Sequence, residues 1–475
     1  MPEYDVIIIG AGAVGENVAD RAVQGGLTAV LIESELVGGE CSYWACMPSK
    51  VLIRSGLALR AAQRLAGARE AVTGELDTAA VFARRNSFTH DWDDSSQVKW
   101  VAGAGIDLVR GHGRISRVRE VTVESDDGST TVLTARHAVV VSTGSDPLLP
   151  DIPGLLESAP WTAREATSAQ VAPARLAIIG GGVVAVEMAT AYASFGTTVT
   201  VFARSRLLRD QEDFAGEAVT AGLRGLGVDV RIAAPTRVTR GPEGVTIYVG
   251  DDSTVADEVL VATGRVPRSQ DLGLETVGLE PGSWLHVDDT MRVQGFDWLY
   301  AAGDINHRAL LTHQGKYQAR AAGDVIAARA KSRPVDDAPW GIHVATADHR
   351  GVPQVTFAEP EVASVGLTST AARKAGFDVR VVDYNLGWVA GSSLQADDYE
   401  GTARMVVDEK RGVILGMTLV GQDVAELIHA ATIAIVGEVP LERLWHAVPA
   451  YPTMNEIWLR LLETYGRPDP ATKLE

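Results

Sequence analysis

The sequence predicts an α/β protein with two βαβ units and a separate C-terminal α+β domain. Three observations support this prediction. A buried strand, a glycine turn and a helical pattern follow one another near the N-terminus, and the same order begins again at residue 176. From about residue 346 onward, short alternating segments precede two helical patterns, over 423–435 and 455–465, as in an α+β arrangement.

The first unit begins with a continuous apolar run, Val6–Ile9, which is typical of a strand buried on both faces. Gly10, Gly12 and Gly15 follow it with G-x-G-x-x-G spacing, and the next strand ends at Glu33. Glycines at these positions let a pyrophosphate approach the backbone at a helix N-terminus, and an acid after the second strand accepts hydrogen bonds from a ribose. This pattern predicts a dinucleotide-binding, Rossmann-like domain.

The second unit repeats the pattern with one change. Leu176–Ile179 is the strand, Gly180 and Gly182 lie in the turn, and Val183–Ser194 is the helix. Ala185 stands where the third glycine usually occurs, and alanine is small enough for the helix to pack closely on the sheet. We therefore predict a second Rossmann-like domain.

The residues after the second strand of this unit indicate which nucleotide binds. A site for NAD has an acid there, but this chain has Ala203, followed by Arg204 and Arg206. Guanidinium groups pair with phosphate in a fork, so the two arginines suit the 2′-phosphate of NADP. The sequence favours NADPH, with NAD as the less favoured cofactor. The alternative is that both arginines belong to a solvated loop.

Both cysteines of the chain, Cys41 and Cys46, lie in the segment GGECSYWACMPSK at 38–50. They are close enough in sequence to form a small disulfide loop, and a secreted disulfide scaffold would carry more cysteines spread along the chain. Pro48 suits the first turn of a helix, whose dipole lowers the pKa of a nearby thiol, and Lys50 adds a positive charge. The pair is predicted to take part in chemistry rather than to cross-link the fold. The alternative is two buried, inert cysteines.

Composition and charge exclude several function classes. Apolar residues make up 46% and charged residues 22%, which are ordinary globular values. The formal net charge of −18 disfavours binding to nucleic acid and to anionic lipid. No apolar stretch approaches the roughly 18 residues of a membrane span, and the N-terminus lacks the basic region of a signal peptide. We expect a cytoplasmic protein with neither nucleic-acid nor membrane partners.

Together these motifs resemble the class I pyridine nucleotide–disulfide oxidoreductases, the family of glutathione reductase, dihydrolipoamide dehydrogenase and mercuric reductase. The cysteine segment matches GGxCxxxxCxPSK, and four further family motifs follow it in order: GGGxxAxE at 180–187, ATGRxP at 262–267, YAAGD at 300–304 and PTxxE at 452–456. The resemblance implies an FAD-binding domain at 1–150 and 275–345, an NAD(P)-binding domain at 151–274 and a dimerisation domain at 346–475. It also implies a homodimer in which each chain lends residues to its partner's active site.

The resemblance further implies site residues. The expected FAD contacts are Gly10, Gly12, Gly15, Glu33, Lys50, Gly113, Gly303, Asp304 and Thr312. Thr143 and Gly144, which follow a predicted strand, are further cofactor-binding candidates. The NADP site would be lined by Gly180, Gly182, Glu187, Arg204, Arg206 and Gly264. Glu187 would pair with Lys50 beside the flavin ring. No metal site is expected.

The implied mechanism is an electron relay to a small-molecule acceptor. NADPH would give hydride to FAD, and the flavin would reduce a Cys41–Cys46 disulfide. Cys46 would be the flavin-proximal thiol, and Cys41 would be the interchange thiol that meets the acceptor.

One departure from the family bears on the acceptor. Disulfide-reducing members end in HxHPTxxE, whereas this chain has PAYPTMNE, with Tyr451 at the position of the catalytic histidine and Glu456 retained. A histidine, with a pKa near 6.5, shuttles protons at neutral pH far better than a tyrosine with a pKa near 10. We therefore expect a quinone, another electrophile or a metal ion rather than a glutathione- or lipoamide-type disulfide. His446 could substitute if its loop folds back; otherwise it is a surface or packing residue.

Three alternatives remain. The first is a disulfide reductase or dihydrolipoamide dehydrogenase-like enzyme with a rearranged base. The second is a mercuric reductase-like enzyme, which shares the tyrosine; however, this chain shows neither the terminal cysteine pair nor the N-terminal metal-binding domain of mercuric reductase. The third is a non-catalytic or complex-assembly subunit, against which the missing histidine argues because that role keeps lipoamide turnover.

Overall fold

A computed structural model of the protein describes residues 2–467. The strands in this part of the chain are β1 (Glu3–Ile9), β2 (Ala29–Glu33), β3 (Asp107–Arg110), β4 (His112–Arg117), β5 (Glu120–Glu124), β6 (Thr130–Val141), β7 (Ser145–Pro147), β8 (Arg175–Ile179), β9 (Thr198–Ala203), β10 (Asp229–Ile232), β11 (Arg237–Gly241), β12 (Gly244–Val249), β13 (Asp252–Ala256), β14 (Glu258–Val261), β15 (Arg265–Pro267), β16 (Leu299–Ala301), β17 (Pro353–Thr356), β18 (Glu361–Gly366), β19 (Val379–Asn385), β20 (Thr402–Asp408) and β21 (Val413–Gly421).

The α-helices in the same part of the chain are α1 (Ala13–Gln24), α2 (Gly39–Tyr43), α3 (Cys46–Gln63), α4 (Thr78–Phe88), α5 (Ser95–Gly103), α6 (Ala163–Ser168), α7 (Val183–Ser194), α8 (Asp213–Gly225), α9 (Thr312–Ala330), α10 (Ser369–Lys374), α11 (Ala390–Ser393), α12 (Ile428–Val436), α13 (Leu441–Leu444) and α14 (Glu456–Tyr465). The architecture is the mixed α/β fold predicted from the sequence, with two parallel sheets and a C-terminal antiparallel sheet.

The chain divides into two units. The first comprises the chain up to Pro48, Arg84–Leu148 and Gly264–Asp348, and the second comprises Ser49–Ala83, Leu149–Thr263 and the chain from His349 onward. The division into FAD, NAD(P) and dimerisation domains at the boundaries given above stays a prediction.

The first unit is built on a parallel sheet in the order β3-β2-β1-β6-β16. The N-terminal half of β6 continues into an antiparallel meander with β5 and β4. Helices α1 and α9 pack on one face of the sheet, where apolar side chains such as Ile8, Ala19 and Val325 are fully buried. The glycine turns of this unit all follow parallel strands, so they meet at the carboxyl edge of the sheet.

The second unit contains the other Rossmann-like sheet, in the order β10-β9-β8-β14, with α7 packed on β8 and β9. A three-stranded antiparallel sheet, β11-β12-β13, is joined to it in sequence. The C-terminal part of the unit forms a five-stranded antiparallel sheet in the order β17-β18-β21-β20-β19, against which α12 and α14 pack.

Element boundaries follow the sequence prediction closely where the apolar pattern is strong. The predicted helix over Val183–Ser194 has the bounds of α7. The helical pattern predicted over 423–435 is in part wrong: α12 begins at Ile428. Asp423 adopts a left-handed conformation with φ of 60°, and a short 3-10 turn over Val424–Glu426 precedes the α-helix.

Candidate active site

A cleft lies at the carboxyl edge of the parallel sheet in the first unit. Its lining includes most of the residues expected to contact FAD: Gly10, Gly12, Glu33, Gly113, Thr143, Gly144, Gly303, Asp304 and Thr312. Cys41 also lines the cleft. Gly15 and Lys50 are not among the lining residues, and Gly15 contributes instead to how α1 packs.

Gly15 sets the distance between α1 and the turn after β1. A Cβ atom at this position would collide with the carbonyl oxygen of Gly10, whereas a Cβ at Gly12 would meet nothing closer than 3.8 Å. Gly15 therefore allows the start of α1 to lie against the turn, and Gly12 leaves the backbone open toward the cleft. This is the geometry in which helix N–H groups face a pyrophosphate.

Glu33 lies at the end of β2 with its carboxylate held in place. One oxygen accepts a hydrogen bond from the Ala11 N–H at 2.8 Å, and the other accepts one from the Glu35 N–H at 2.8 Å. Burial raises the pKa of the Glu33 carboxyl. Each oxygen keeps a lone pair that can accept from a ribose hydroxyl.

The Gly303–Asp304 turn is held by residues that the sequence analysis did not identify. The Gly303 N–H donates to the side-chain oxygen of Gln318, and the Gln318 amide donates to Asp348, both at 2.9 Å. Gln318 is fully buried. The Ser145 hydroxyl donates to Asp304 at 2.6 Å. This network fixes the turn from behind the cleft, and no local sequence pattern indicates it.

The two cysteines lie at successive helices. Cys41 is on α2, which begins at Gly39, and Cys46 is the first residue of α3. A Cβ at Gly39 would lie 2.8 Å from the Cα of Gly12, so glycine at this position brings the helix of Cys41 against the first glycine turn. Pro48 lies in the first turn of α3, as predicted.

In this structure no disulfide joins Cys41 to Cys46, so the pair is in its dithiol form. The Cys46 sulfur lies 3.1 Å from the hydroxyl oxygen of Thr312, the first residue of α9. A hydrogen bond with Cys46, together with burial, raises the pKa of the Cys41 thiol.

Within the second unit, Lys50 and Glu187 form an ion pair, with the ammonium 2.7 Å from a carboxylate oxygen. The Glu187 side chain is 4% exposed, and its other oxygen accepts a hydrogen bond from the Phe357 N–H at 3.0 Å. The Lys50 ammonium also lies over the Phe357 ring, 5.1 Å from its centre. The family resemblance predicts the pairing of Lys50 with Glu187, whereas no sequence pattern indicates the contacts with Phe357.

The second glycine turn follows β8, and Gly180 there has a φ of 141°. Gly182 caps α7, and Ala185 is fully buried, as expected for a small residue at the position of the third glycine. Gly264 belongs to the first unit, where its carbonyl accepts a hydrogen bond from the Leu148 N–H at 2.9 Å.

The two arginines after β9 have different surroundings. The Arg206 guanidinium donates to the carbonyl oxygens of Leu208, Arg209 and Gln211 and pairs with Asp213 at 2.8 Å. Arg204 is exposed and forms no hydrogen bond or ion pair within residues 2–467. Arg206 therefore shapes the loop, and Arg204 is the arginine whose guanidinium is available to a ligand.

Tyr451 and Glu456 lie in the C-terminal part of the second unit. The Tyr451 side chain is largely exposed, at 75%. Glu456 begins α14 and is buried; one oxygen lies 3.4 Å from Arg460, and the other has no hydrogen-bond partner in the part of the chain that the structure describes. His446 is exposed and makes no side-chain hydrogen bond to any described residue.

Residues 2–467 contain neither a metal-binding cluster nor a membrane-spanning helix. No three His, Cys, Asp or Glu side chains in this range are placed to hold a metal ion together. Among the helices of the same range, none combines the length and apolar character that crossing a membrane requires.

Comparison with known proteins indicates the family to which this chain belongs. Residues 4–323 match the family model described as pyridine nucleotide-disulphide oxidoreductase, and residues 352–461 match the dimerisation domain of that family. A mercuric reductase of Shigella flexneri is 31% identical over 474 residues, which cover 97% of this chain and 81% of that protein. A dihydrolipoyl dehydrogenase of Bacillus subtilis is 29% identical over 484 residues, covering 97% and 96%.

A solved structure of the HOCl-induced flavoprotein disulfide reductase from Escherichia coli matches with a TM-score of 0.82 over 97% of this chain and 99% of that chain. At 23% identity, this likeness shows the fold. The two family models and the relatives that match across almost the whole chain establish that this protein belongs to the pyridine nucleotide–disulphide oxidoreductase family, whose members are FAD-dependent oxidoreductases.

Proposed function

We propose that this chain oxidises NADPH and passes the electrons, through bound FAD and the Cys41–Cys46 pair, to a small acceptor that is not a glutathione- or lipoamide-type disulfide. The acceptors that fit are a quinone, another electrophile or a metal ion. The observation that carries the proposal is the position of the thiols: Cys41 lines the cleft of the first unit and contacts Cys46. By the family resemblance, Tyr451 occupies the position of the catalytic histidine.

The first unit fits FAD. The cleft provides a glycine turn open at Gly12 and a carboxylate at Glu33. The Ser145 hydroxyl fixes a second carboxylate, Asp304, in the turn after β16. The turn at Gly12 would hold the pyrophosphate of FAD, Glu33 would bind its adenosine ribose, and Asp304 would bind its other hydroxyl-bearing chain. When bound, FAD supplies the two-electron chemistry between a nicotinamide and a thiol pair.

The cysteines provide a two-electron site of their own. Oxidation of the dithiol forms one S–S bond, releases two protons and gives two electrons to the acceptor. The hydroxyl of Thr312 lies 3.1 Å from the Cys46 sulfur. By the family resemblance, Cys41 is the thiol that we assign to the acceptor. The Lys50–Glu187 pair is the ionic site that we assign to the flavin ring, by family resemblance.

The proposed preference for NADPH rests on Arg204. Its guanidinium is exposed beyond the uncharged end of β9, where a carboxylate would bind the ribose hydroxyls of NAD. Arg206 supports this site indirectly, because its hydrogen bonds to three carbonyls hold the loop that carries Arg204.

We propose an acceptor other than a glutathione- or lipoamide-type disulfide because Tyr451 replaces the histidine that would act as acid and base. Reduction of a disulfide needs an acid to protonate the leaving thiolate near neutral pH, and tyrosine serves this role poorly. Glu456 keeps a buried oxygen with no partner among residues 2–467, so the carboxylate that would orient an imidazole is present without the imidazole.

The decisive experiment is an acceptor panel with NADPH as the donor, using the wild type and the variants Cys41→Ser and Cys46→Ser. We expect turnover of quinones, other electrophiles or metal ions, slow turnover of glutathione disulfide and lipoamide, and loss of the favoured activity in both variants. Mercuric ion belongs in the panel because relatives of this chain are named mercuric reductase. Wild-type quinone rates in both serine variants would overturn the route through the cysteines.

We also propose that the protein works as a homodimer. Residues 352–461 match a dimerisation domain, and this region exposes large apolar side chains, among them Trp388 and Val448. By the family resemblance, the segment around Tyr451 would face the active site of the partner chain.

A further inference from the structure

A half-buried lysine lies on α9, one turn after the residue that contacts the dithiol. Lys316 is on α9, one turn after Thr312, whose hydroxyl oxygen is 3.1 Å from the Cys46 sulfur. Residues four apart share one face of a helix, so Lys316 follows Thr312 on the face that meets the cysteines. Lys316 is half-buried and forms no hydrogen bond or ion pair within residues 2–467.

The same turn of α9 lies against the start of α1. A Cβ at Gly315 would be 2.6 Å from a methyl carbon of Val14, so the two helices touch through the glycine backbone. Glu16 lies on this turn of α1, and one of its carboxylate oxygens is buried without a hydrogen-bond partner in the described chain. Lys316 and Glu16 thus lie on facing turns of α9 and α1, and neither side chain forms a hydrogen bond or ion pair within residues 2–467.

Titratable and charged groups of the neighbouring elements act on the Cys41 thiol and on Glu16. The groups that act on the Cys41 thiol are Cys46 from α3, with Thr312 and Lys316 from α9; the hydrogen bond with Cys46 raises its pKa, whereas Lys316 lowers it. The charged groups that act on Glu16 are Lys316 and Glu33, and Glu16 adds to the effect of burial in raising the pKa of the Tyr43 phenol on α2. Burial is the main cause that raises the pKa of Glu16 to about 7, and Lys316 opposes this effect.

We propose that Lys316 stabilises the thiolate form of the Cys41–Cys46 pair, that it thereby supplies part of the activation that a histidine at position 451 would give, and that Glu16 moderates its charge. Thiolates, not thiols, are the nucleophiles in such pairs. The proton leaves to solvent, and the ammonium holds the negative charge that remains. Lys316 acts through the thiols and not on the acceptor. This inference rests on the proposed redox role of the two cysteines.

Glu16 offsets the charge of Lys316 only when the Glu16 carboxyl is ionised. Below about pH 7 the carboxyl is neutral and the charge of Lys316 acts fully on the thiols. Above that pH the carboxylate offsets part of the lysine charge. Lys316 therefore stabilises the thiolate most strongly below about pH 7, where a free cysteine with a pKa of about 8.5 is mainly protonated.

The test is the rate of iodoacetamide alkylation as a function of pH, measured for each cysteine by mass spectrometry on anaerobically reduced holoenzyme. Lys316→Met should raise the midpoint of the more reactive cysteine by about one pH unit and slow alkylation near neutral pH by about tenfold. Lys316→Arg should keep the wild-type midpoint, and Glu16→Gln should lower it. Lys99→Met, the same charge change at an exposed position of α5, is the control and should leave the midpoint unchanged.

A Lys316→Met variant with the wild-type midpoint would overturn the proposal, even if its thermal stability fell, because a lysine that only packs would not move a titration. If that variant does not fold, the wild type decides the matter: iodoacetate should gain on iodoacetamide relative to the ratio for free cysteine, and an unchanged ratio overturns the proposal. The result is separate from the acceptor panel, because alkylation reports on the thiols whether or not any acceptor meets Cys41.

Discussion

Arg204 and Arg206 are two residues apart, yet their guanidinium groups have different tasks. Arg206 satisfies three carbonyl oxygens of its own loop and pairs with Asp213, whereas Arg204 is exposed with no partner among the described residues. A sequence pattern cannot separate them, because the carbonyls that Arg206 binds are brought to it by the turn of the loop. The structure therefore narrows the proposed 2′-phosphate contact to Arg204.

Arg204→Glu should reduce kcat/KM for NADPH by about 10- to 100-fold, the size expected for losing a charge-assisted hydrogen bond and adding a repulsive carboxylate. The value for NADH should change little, because NADH has no 2′-phosphate. Steady-state kinetics with both nucleotides measures this. Arg209→Glu, an exposed arginine on the same loop, is the matched control and should behave as the wild type. A wild type that prefers NADH would contradict the cofactor proposal.

Tyr451→His tests the missing base. The buried oxygen of Glu456 that has no partner within residues 2–467 can accept a hydrogen bond from an imidazole, so the variant should raise turnover of glutathione disulfide or lipoamide by at least about tenfold. Tyr451→Phe is the control and should show no gain. If no disulfide gains in the histidine variant and both serine variants keep their quinone rates, the acceptor does not meet Cys41, and a disulfide-reductase function should be abandoned.

Among the elements, α1 depends on one glycine. Gly15→Ala would place a methyl group against the Gly10 carbonyl, so α1 must move away from the turn that faces the cleft. We expect the variant to lose bound FAD during gel filtration, with an FAD dissociation constant at least about tenfold higher than that of the wild type. Gly103→Ala is the control: a Cβ there meets no atom within 4 Å, and FAD content should be unchanged.

Glu361, at the start of β18, gives the second unit a pH-dependent stability. It is 8% exposed, it accepts a hydrogen bond from the Ala425 N–H at 3.2 Å, and burial raises its pKa to about 7. The negative charges of Asp423 and Glu426 raise the pKa of Glu361 further, whereas the positive charge of Arg54 lowers it.

An acid whose pKa is raised in the folded state stabilises the fold below its unfolded pKa of about 4.5, and this contribution is lost as the pH rises toward 7. Glu361→Gln should therefore gain roughly 3 kcal/mol of stability relative to the wild type between about pH 5 and pH 8, because glutamine carries no charge to bury. Melting temperatures of both proteins across this range measure the effect. Glu442→Gln, at an exposed glutamate, should show no such trend. Parallel pH curves for wild type and Glu361→Gln would contradict the assignment.

An element can be predicted from the sequence when residues close together in the chain determine it. The strand, glycine turn and helix through α7 are visible in sequence because local apolar runs and glycines determine them. The 3-10 turn before α12 is not, because the left-handed conformation of Asp423 has no clear local signal. The support of Gly303 by Gln318 and Asp348, and of Glu187 by Phe357, depends on contacts between distant segments that a sequence pattern does not encode.

At the scale of the whole molecule, the C-terminal region leaves features that a partner chain would satisfy. Trp388, Val448 and Tyr451 are each at least 73% exposed. The indole N–H of Trp445 and one oxygen of Glu456 are buried and lack hydrogen-bond partners in the described chain. Exposed apolar side chains of this size are common at protein interfaces, and buried polar groups without partners are rare in complete structures.

We expect light scattering to give twice the mass of one chain at micromolar concentration. Trp388→Asp combined with Val448→Asp should shift the protein toward the monomer and lower turnover with the preferred acceptor, because charges would be buried in the interface and, by the family resemblance, each active site needs both chains. Val171→Asp replaces an equally exposed valine outside the matched dimerisation domain and should keep both the mass and the activity of the wild type. The FAD content of the double variant should stay unchanged, because the cleft is lined within one chain; its loss would indicate misfolding instead of dissociation. A wild-type monomer with full activity would contradict both the homodimer and the sharing of the active site between chains.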